Sequence, residues 1–329
     1  MISSSQSRVL RVADESGVGE ARRLARGLAR EAGVGEVATE QAAIVAAEAG
    51  RNAVLHGGGG QVVITSFPAV RSLEILALDH GPGIPDVERA LADGYSTAGT
   101  AGQGLGAIAR IATVFDVYSL PDKGTALLAR IGGTRDGSVG GVSVAMATES
   151  ECGDAWALEQ APGGPVVLVA DGLGHGHKAA EASATAVAAF RRHADQPVER
   201  ILEAVHRALR STRGAAVAIA RGSPEGPAVR YCGIGNIAGA VLGSLSIRKM
   251  VSLPGTAGHE ARSIRTFDYP WPEGSLLVMH SDGITGRWDL ARYPGLAERH
   301  PSLVAGVLLR DFARGRDDAT AVVVRREVS

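Results

Sequence analysis

One stretch, residues 132–141 (GGTRDGSVGG), constrains this chain more than any other. It is small, polar and Gly-rich, with no apolar period, so it reads as a linker and not as part of a core. The segments on either side of it must each bury their own apolar residues. The chain's 329 residues leave room for two domains of ordinary size. Hydrophobic residues make up 45% of the chain, enough for two cores, while aromatics are only 4%, so those cores must be built from Ala, Val, Leu and Ile. The halves share no pattern and contain no internal repeat. The expected division is a domain over 1–131, a linker over 132–141 and a second domain over 142–329.

In the first half, VGEARRLARGLAREAG (18–33) spaces Ala and Leu as a helix does, with Gly33 near its C-cap. Residues 36–56 predict a longer, largely buried helix, ended by the four glycines Gly57 to Gly60. QVVITSF and SLEILALDH predict two strands able to pair antiparallel. DVERALADG predicts a short helix, GAIARIATVF another, and DVYSL and TALLARI two final strands. The second half is strand-rich: VSVAMATES, AWALEQ, PVVLVADG, AAVAIAR, AVRYCGIGN, IAGAVLG, SIRKMVS, SLLVMHSDG and ATAVVVRR. Helices are expected over 177–193, over 197–212 with Pro197 near N1, and over 301–313.

Several function classes drop out. With 34 basic and 35 acidic residues, the formal charge of −1 gives no footprint for nucleic acid. Two cysteines, Cys152 and Cys232, make neither a disulfide framework nor a zinc cluster and read as small buried residues. MISSSQSRVLRVADES lacks the basic-then-apolar pattern of a signal peptide, and no apolar run is long enough to span a membrane. The expectation is a cytoplasmic protein with no membrane partner.

Glu48 and Asn52 lie four apart on a predicted helix, so both project from one face. A carboxylate beside a carboxamide can hold hydrated Mg²⁺, though the pair alone equally fits a solvated helix face. DHGPGIPD follows a strand, with Asp79 at the strand end and Gly81 and Gly83 just after. Glycines there let a flat ligand approach the backbone, and a carboxylate can accept from an adenine amino group; a plain turn at Pro82 and Pro85 is the other reading. GTAGQGLGAIARI then carries Gly99, Gly102, Gly104 and Gly106 into a helix, whose N-terminus and free N–H groups suit phosphates.

In this order the three elements resemble the N box, first glycine box and lid of the GHKL ATPases, over about residues 8–131. EAGRNAVLHGGGG and DGYSTAGTAGQGLGAIARI are similar to the RsbT-type switch serine kinases of bacterial partner switching. The resemblance implies an N-terminal Bergerat (GHKL) α/β sandwich that binds ATP and Mg²⁺. It implies Asn52 as the Mg²⁺ ligand, Glu48 as the general base, Asp79 reading adenine beside Gly81 and Gly83, the Gly99–Gly106 loop on the phosphates, and Thr125 of KGTALL closing the pocket. A phospho-accepting histidine kinase is disfavoured, because few residues precede the ATP domain. His56, one turn below Asn52, reads as a helix-capping residue.

The second half sets aspartates at strand ends: Asp154 in ECGDAW, Asp171 in VVLVADGLGHG, Asp282 in SLLVMHSDG, and Asp317 and Asp318 before the last strand. Each alone is an ordinary turn. Together they suit a pair of hard divalent cations, which want carboxylates and few nitrogens or thiolates. The ordered series GD, VADGxGxG, SDG, RDDAT resembles the SpoIIE-type metal-dependent Ser/Thr phosphatases over about 142–326, and DGLGHGHKAAEAS is similar to the short RsbX type. The resemblance implies a PPM-type αββα sandwich with two Mn²⁺ or Mg²⁺. It implies Asp171 bridging both metals, Gly172 giving a carbonyl, Asp154 on one side, Asp282 and Asp317 completing the second site, and Asp318 in support. His175 reads either as a general acid or as a residue of the turn, and His177 as a helix-start residue.

A kinase and a phosphatase in one α/β chain imply opposing reactions on one partner. The partners implied are a STAS-domain phosphoprotein and, beyond it, a sigma factor or a stressosome-like complex. An anti-sigma factor, a non-catalytic ATP-gated module directing the phosphatase, and a phosphohydrolase of small molecules remain open alternatives. The sequence leaves the oligomeric state open.

Overall fold

The computed structural model describes residues 2–3, 7–91, 104–134, 137–162, 164–223, 226–243, 246–261 and 263–327. In chain order, β1 (Ile2–Ser3) and β2 (Arg8–Val12) precede α1 (Glu15–Glu31) and α2 (Glu36–Gly57). Next come β3 (Gly60–Phe67), β4 (Ser72–Asp79), α3 (Val87–Leu91), α4 (Gly104–Ile111), β5 (Val114–Leu120) and β6 (Gly124–Gly132). The second half holds β7 (Val139–Val144), β8 (Asp154–Ala161), β9 (Gly164–Gly172), α5 (His177–Arg192), α6 (Val198–Ala208), β10 (Ala215–Gly222), β11 (Ala228–Ile234) and β12 (Ala238–Leu242). It ends with β13 (Ile247–Lys249), β14 (Phe267–Pro270), β15 (Leu276–His280), α7 (Pro301–Phe312) and β16 (Ala319–Arg325).

The residues gather into two compact units, and the division is not the contiguous one expected. One unit is 7–137 with 289–310; the other is 1–6, 138–288 and 311–329. The expected linker is also shorter, because β6 runs to Gly132 and β7 starts at Val139. Backbone pairing overrides composition here: Val139 to Val144 pair with β16 in spite of their glycines.

The first unit is a sheet of order β2-β3-β4-β6-β5 with α1 and α2 on one face. Asp14 caps α1 by accepting from the N–H groups of Ser16 and Gly17. Its other end closes in a Schellman turn: Gly33, at φ 66°, donates to Arg30, and Val34 donates to Ala29. Val18, Ala21, Ala25 and Ala29 form its buried face, and α2 answers with Ala42, Val45, Ala46, Ala49 and Ala53. Small side chains let both helices lie close over Val62, Ile64, Ile75, Leu127 and Ala129. All of β4 is buried, so the sheet is covered on its second face too. There the helix Pro301–Phe312 supplies Gly306, packed against Leu76 and Leu78, and Ser302, whose hydroxyl donates to Glu74 at 2.9 Å. Glu74 also pairs with Arg130 at 2.7 Å, a buried ion pair.

The second unit stacks two antiparallel sheets, β1-β8-β9-β10-β11-β14 and β13-β12-β15-β16-β7. α5 and α6 cover the first sheet through Ala182, Ala186, Phe190, Ile201, Leu202 and Val205. On its other face Trp156 presses on Gly141 of β7, where a Cβ would stand 2.7 Å from the indole. The stack is completed by hydroxyl contacts from Ser143 to Thr320, at 2.6 Å, and to the carbonyl of Asp154. Cys152 and Cys232 are free and buried, and burial pushes both thiols up. Among the described residues no helix is long and apolar enough to cross a membrane.

Candidate functional site

In the first unit, Glu48 and Asn52 lie on α2. The Glu48 carboxylate is held by the Arg51 guanidinium at 2.7 Å. The Asn52 Nδ2 is buried with no hydrogen-bond partner, and Gly104, the first residue of α4, lies against its carboxamide, where a Cβ would come within 3.2 Å of Oδ1. Gly104 and Gly106 belong to α4, with Gly104 beside Asn52; Gly99 and Gly102 fall outside the described residues. His56 is exposed in the last turn of α2.

Asp79 ends β4 and is almost fully buried. Its Oδ1 accepts from the N–H of Gly81 at 2.9 Å and of Thr125 at 3.2 Å. Burial pushes its pKa up, and those two N–H groups and Arg310 oppose the rise. Gly81 fits because a Cβ would stand 2.6 Å from the Cα of Gly57. Gly83, at φ 78°, could carry no side chain without striking the Leu120 carbonyl. Three residues that the sequence reading missed hold this corner. Gly57 lies against the Asp79 carboxylate. Gly124, at φ 77°, leaves no space for a Cβ beside the Asp79 carbonyl. The Ser119 hydroxyl accepts from Ile84 N–H at 2.8 Å and meets the Thr125 hydroxyl at 2.9 Å. Gly124 stood in plain view in KGTALL but reads there as a turn residue.

In the second unit, antiparallel pairing of β8 with β9 sets Asp154 directly opposite Asp171. Asp154 is buried, accepts from the Ser281 hydroxyl at 2.6 Å and stands across the strand pair from Asp171. Burial, then the charge of Asp171, holds its pKa well above the usual carboxylate range. Asp171 is pushed up to about 7, first by burial and then by Asp282, Asp317 and Asp318. Asp282 is reached by the Asn236 amide at 2.7 Å. Asp317 is exposed and accepts from Asp318 N–H at 2.9 Å. Both Asp318 oxygens are taken by backbone, from Met146 and Gly153, each at 2.7 Å. Gly172 and Gly283 follow their aspartates because a Cβ would strike the carbonyls of Ala179 and Asp318. His175 and His177 are exposed and paired with Glu149, at 2.7 Å, and Glu151, at 3.0 Å. Neither glutamate was singled out from sequence.

Asp154 and Asp171 form the tight pair, and the other three aspartates act on Asp171 through charge. Among the described residues no three Asp, Glu, His or Cys side chains are drawn together closely enough to hold a metal ion on their own. The donors are nonetheless all carboxylate oxygens, crowded and partly desolvated, a set that fits hard divalent cations and disfavours zinc or copper.

A family model for stage II sporulation protein E (SpoIIE) matches residues 161–327, just over half of the chain. The chain belongs to the SpoIIE family. Ahead of its SpoIIE region, residues 12–131 match the histidine kinase-like ATPase domain. The serine/threonine-protein kinase RsbT of Bacillus subtilis (strain 168) is 35% identical over 122 residues, 36% of this chain and 92% of RsbT. The phosphoserine phosphatase RsbX of the same strain is 30% identical over 138 residues, 41% of this chain and 69% of RsbX. A solved chain from work on the bacterial stressosome as a modular system is 30% identical with a TM-score of 0.53, over 57% of this chain and 98% of its own. The crystal structure of RsbX in complex with magnesium, 22% identical with a TM-score of 0.50, covers 58% of this chain and 96% of its own and shares the fold. This SpoIIE-family chain is thus an RsbT-like Ser/Thr kinase domain of the GHKL type fused to an RsbX/SpoIIE-like Ser/Thr phosphatase domain of the PPM fold.

Proposed function

We propose that this chain phosphorylates and dephosphorylates Ser/Thr on a STAS-domain protein of a stressosome-like complex, and so sets and resets a partner switch. One observation carries the reading: the two halves are similar to a kinase and a phosphatase of one bacterium, here joined in one polypeptide. Fusion gives both sites a high effective concentration at a shared partner.

In the kinase domain, Asp79 accepts from the adenine amino group, and Gly81 and Gly83 let the ring lie on the backbone. Thr125 closes the pocket. Asn52 holds Mg²⁺ through its Oδ1, and its unpartnered Nδ2 supports a ligand on that side. Gly104 and Gly106, at the start of α4, face the phosphates. Glu48 takes the proton of the acceptor hydroxyl, once Arg51 releases it. Phosphoryl transfer needs mainly positioning and charge neutralisation, and these residues supply both with ATP–Mg²⁺ bound.

In the phosphatase domain, Asp154, Asp171, the Gly172 carbonyl, Asp282 and Asp317 would hold two Mn²⁺ or Mg²⁺. When bound, such a pair supplies positive charge to the phosphoryl oxygens and acidifies a water. Asp171, the carboxylate most crowded by its neighbours' charge, would be central to that set, and Ser281 and Asn236 fix the orientation of Asp154 and Asp282. Asp318 braces the loops at Met146 and Gly153.

The test uses radiolabelled ATP and a STAS-domain partner. The Asp171→Ala chain should accumulate label on the partner, and wild-type chain with Mn²⁺ should remove it. Label that never appears with Asp171→Ala removes the kinase half of the reading. Label that wild type leaves in place removes the phosphatase half.

A further inference from the structure

The helix α7 lies in sequence between two stretches of the phosphatase unit, yet residues 289–310 belong to the kinase unit. They also fall outside residues 12–131, which match the ATPase domain. Pro301 to Leu309 are buried throughout. Near the end of this helix the Arg310 guanidinium donates to the carbonyl of Asp79 at 3.0 Å and to that of Thr125 at 3.4 Å. These two residues already meet on their other side, where Thr125 N–H donates to the Asp79 carboxylate. Asp79 is therefore gripped twice, at its side chain by backbone amides and at its main chain by a cation. A charged donor shared by two carbonyls fixes the mutual orientation of two peptide groups more firmly than a neutral one.

We propose that Arg310, delivered from the far end of the chain, is a positioning residue of the nucleotide site. It ties the last residue of β4 to the start of β6, so that the carboxylate facing the base stands ready only when α7 is docked. The inference rests on the reading of Asp79 as the group that accepts from adenine. Its guanidinium donates to the Asp79 and Thr125 carbonyls, so it acts on the site through those two residues. Its signature is therefore a change in base discrimination. A purely structural role would weaken every nucleotide alike.

The experiment measures ADP and IDP binding to the full chain by calorimetry with Mg²⁺, in wild type, Arg310→Ala and Arg310→Lys. IDP lacks the amino group that Asp79 would read. Wild type should prefer ADP. Arg310→Ala should weaken ADP by about tenfold, the size of one charge-assisted hydrogen bond, with IDP changing less than about twofold, and Arg310→Lys should recover part of the preference. If Arg310→Ala does not fold, Arg310→Met, which keeps an apolar stem of similar length and carries no N–H donor, replaces it. Unchanged ADP affinity and preference in the alanine or methionine variant would overturn the role of Arg310 and leave the nucleotide site standing. Equal loss for both nucleotides would also overturn it. A wild-type chain that binds neither nucleotide would overturn the nucleotide reading, and this inference with it.

Discussion

Replacing Arg130 by Met should destabilise the kinase unit by about 3–5 kcal/mol, because it leaves a buried carboxylate without its cation. Glu74 is 1% exposed, and its Oε2 accepts from Arg130 at 2.7 Å and from the Ser302 hydroxyl at 2.9 Å. With Arg130 gone, one neutral hydroxyl remains to satisfy that oxygen. The double replacement Glu74→Met with Arg130→Met removes both charges and gives up the Ser302 hydrogen bond and the contact of Arg130 over the Phe67 ring. It should cost no more than about 1–2 kcal/mol. The three tryptophans, Trp156, Trp271 and Trp288, all lie in the phosphatase unit, so their fluorescence reports that unit, whereas far-UV circular dichroism reports both. In urea, the dichroism midpoint of Arg130→Met should fall by about 1.5–3 M, taking a slope near 1.5–2 kcal/mol per molar. The double variant should recover most of that. A single variant that shifts the midpoint by less than about 0.3 M, or a double variant as unstable as the single one, would refute the account of this pair.

The remaining predictions concern the two sites. Asp171 carries a folded-state pKa raised from 3.8 to about 7, so the folded metal-stripped chain holds more protons than the unfolded one across that window. Its stability should therefore fall as pH rises from 4 to 7, by a few kcal/mol at most; melting in EDTA at pH 5 and 8 checks this, and Asp171→Asn should flatten the difference. Gly124→Ala forces a side chain into φ 77° against the Asp79 carbonyl and should cost about 1–3 kcal/mol, with ADP affinity lost in the calorimeter. Glu48→Gln should keep ADP binding and lose at least about 10²-fold in label transfer. Arg51→Ala, which frees Glu48 from a half-exposed ion pair, should leave melting within about 1 kcal/mol of wild type.

Much of this was legible in the sequence for a physical reason. Asp171 and Asp282 each close an apolar run and precede a glycine, so both a strand end and a close backbone approach are written locally. The Ala spacing of α1 and the glycines after α2 likewise determine where those helices face and stop. What was not legible depends on partners distant in sequence. α7 was predicted as a helix, but it is buried from Pro301 to Leu309, and a helix apolar on every side carries no mark of which sheet it will meet. Arg310 looked like an ordinary basic residue in a last helical turn. β2 and β14 are edge strands: β2 shows no clear alternation, and β14 alternates over only four residues and ends in Pro270. Ser119 and Gly124 matter only because β5, β6 and the turn after β4 converge.

The interleaving of segments also sets a timetable for synthesis. The second face of the kinase sheet meets α7 only after residue 310 has left the ribosome, some 170 residues after residue 137. At about 5–20 residues per second that is a delay of roughly 10–35 s. Through that interval Leu76, Leu78 and the Glu74–Arg130 pair lack the cover that α7 later brings. Until residues 289–310 arrive, the nascent kinase sheet therefore presents an uncovered apolar face.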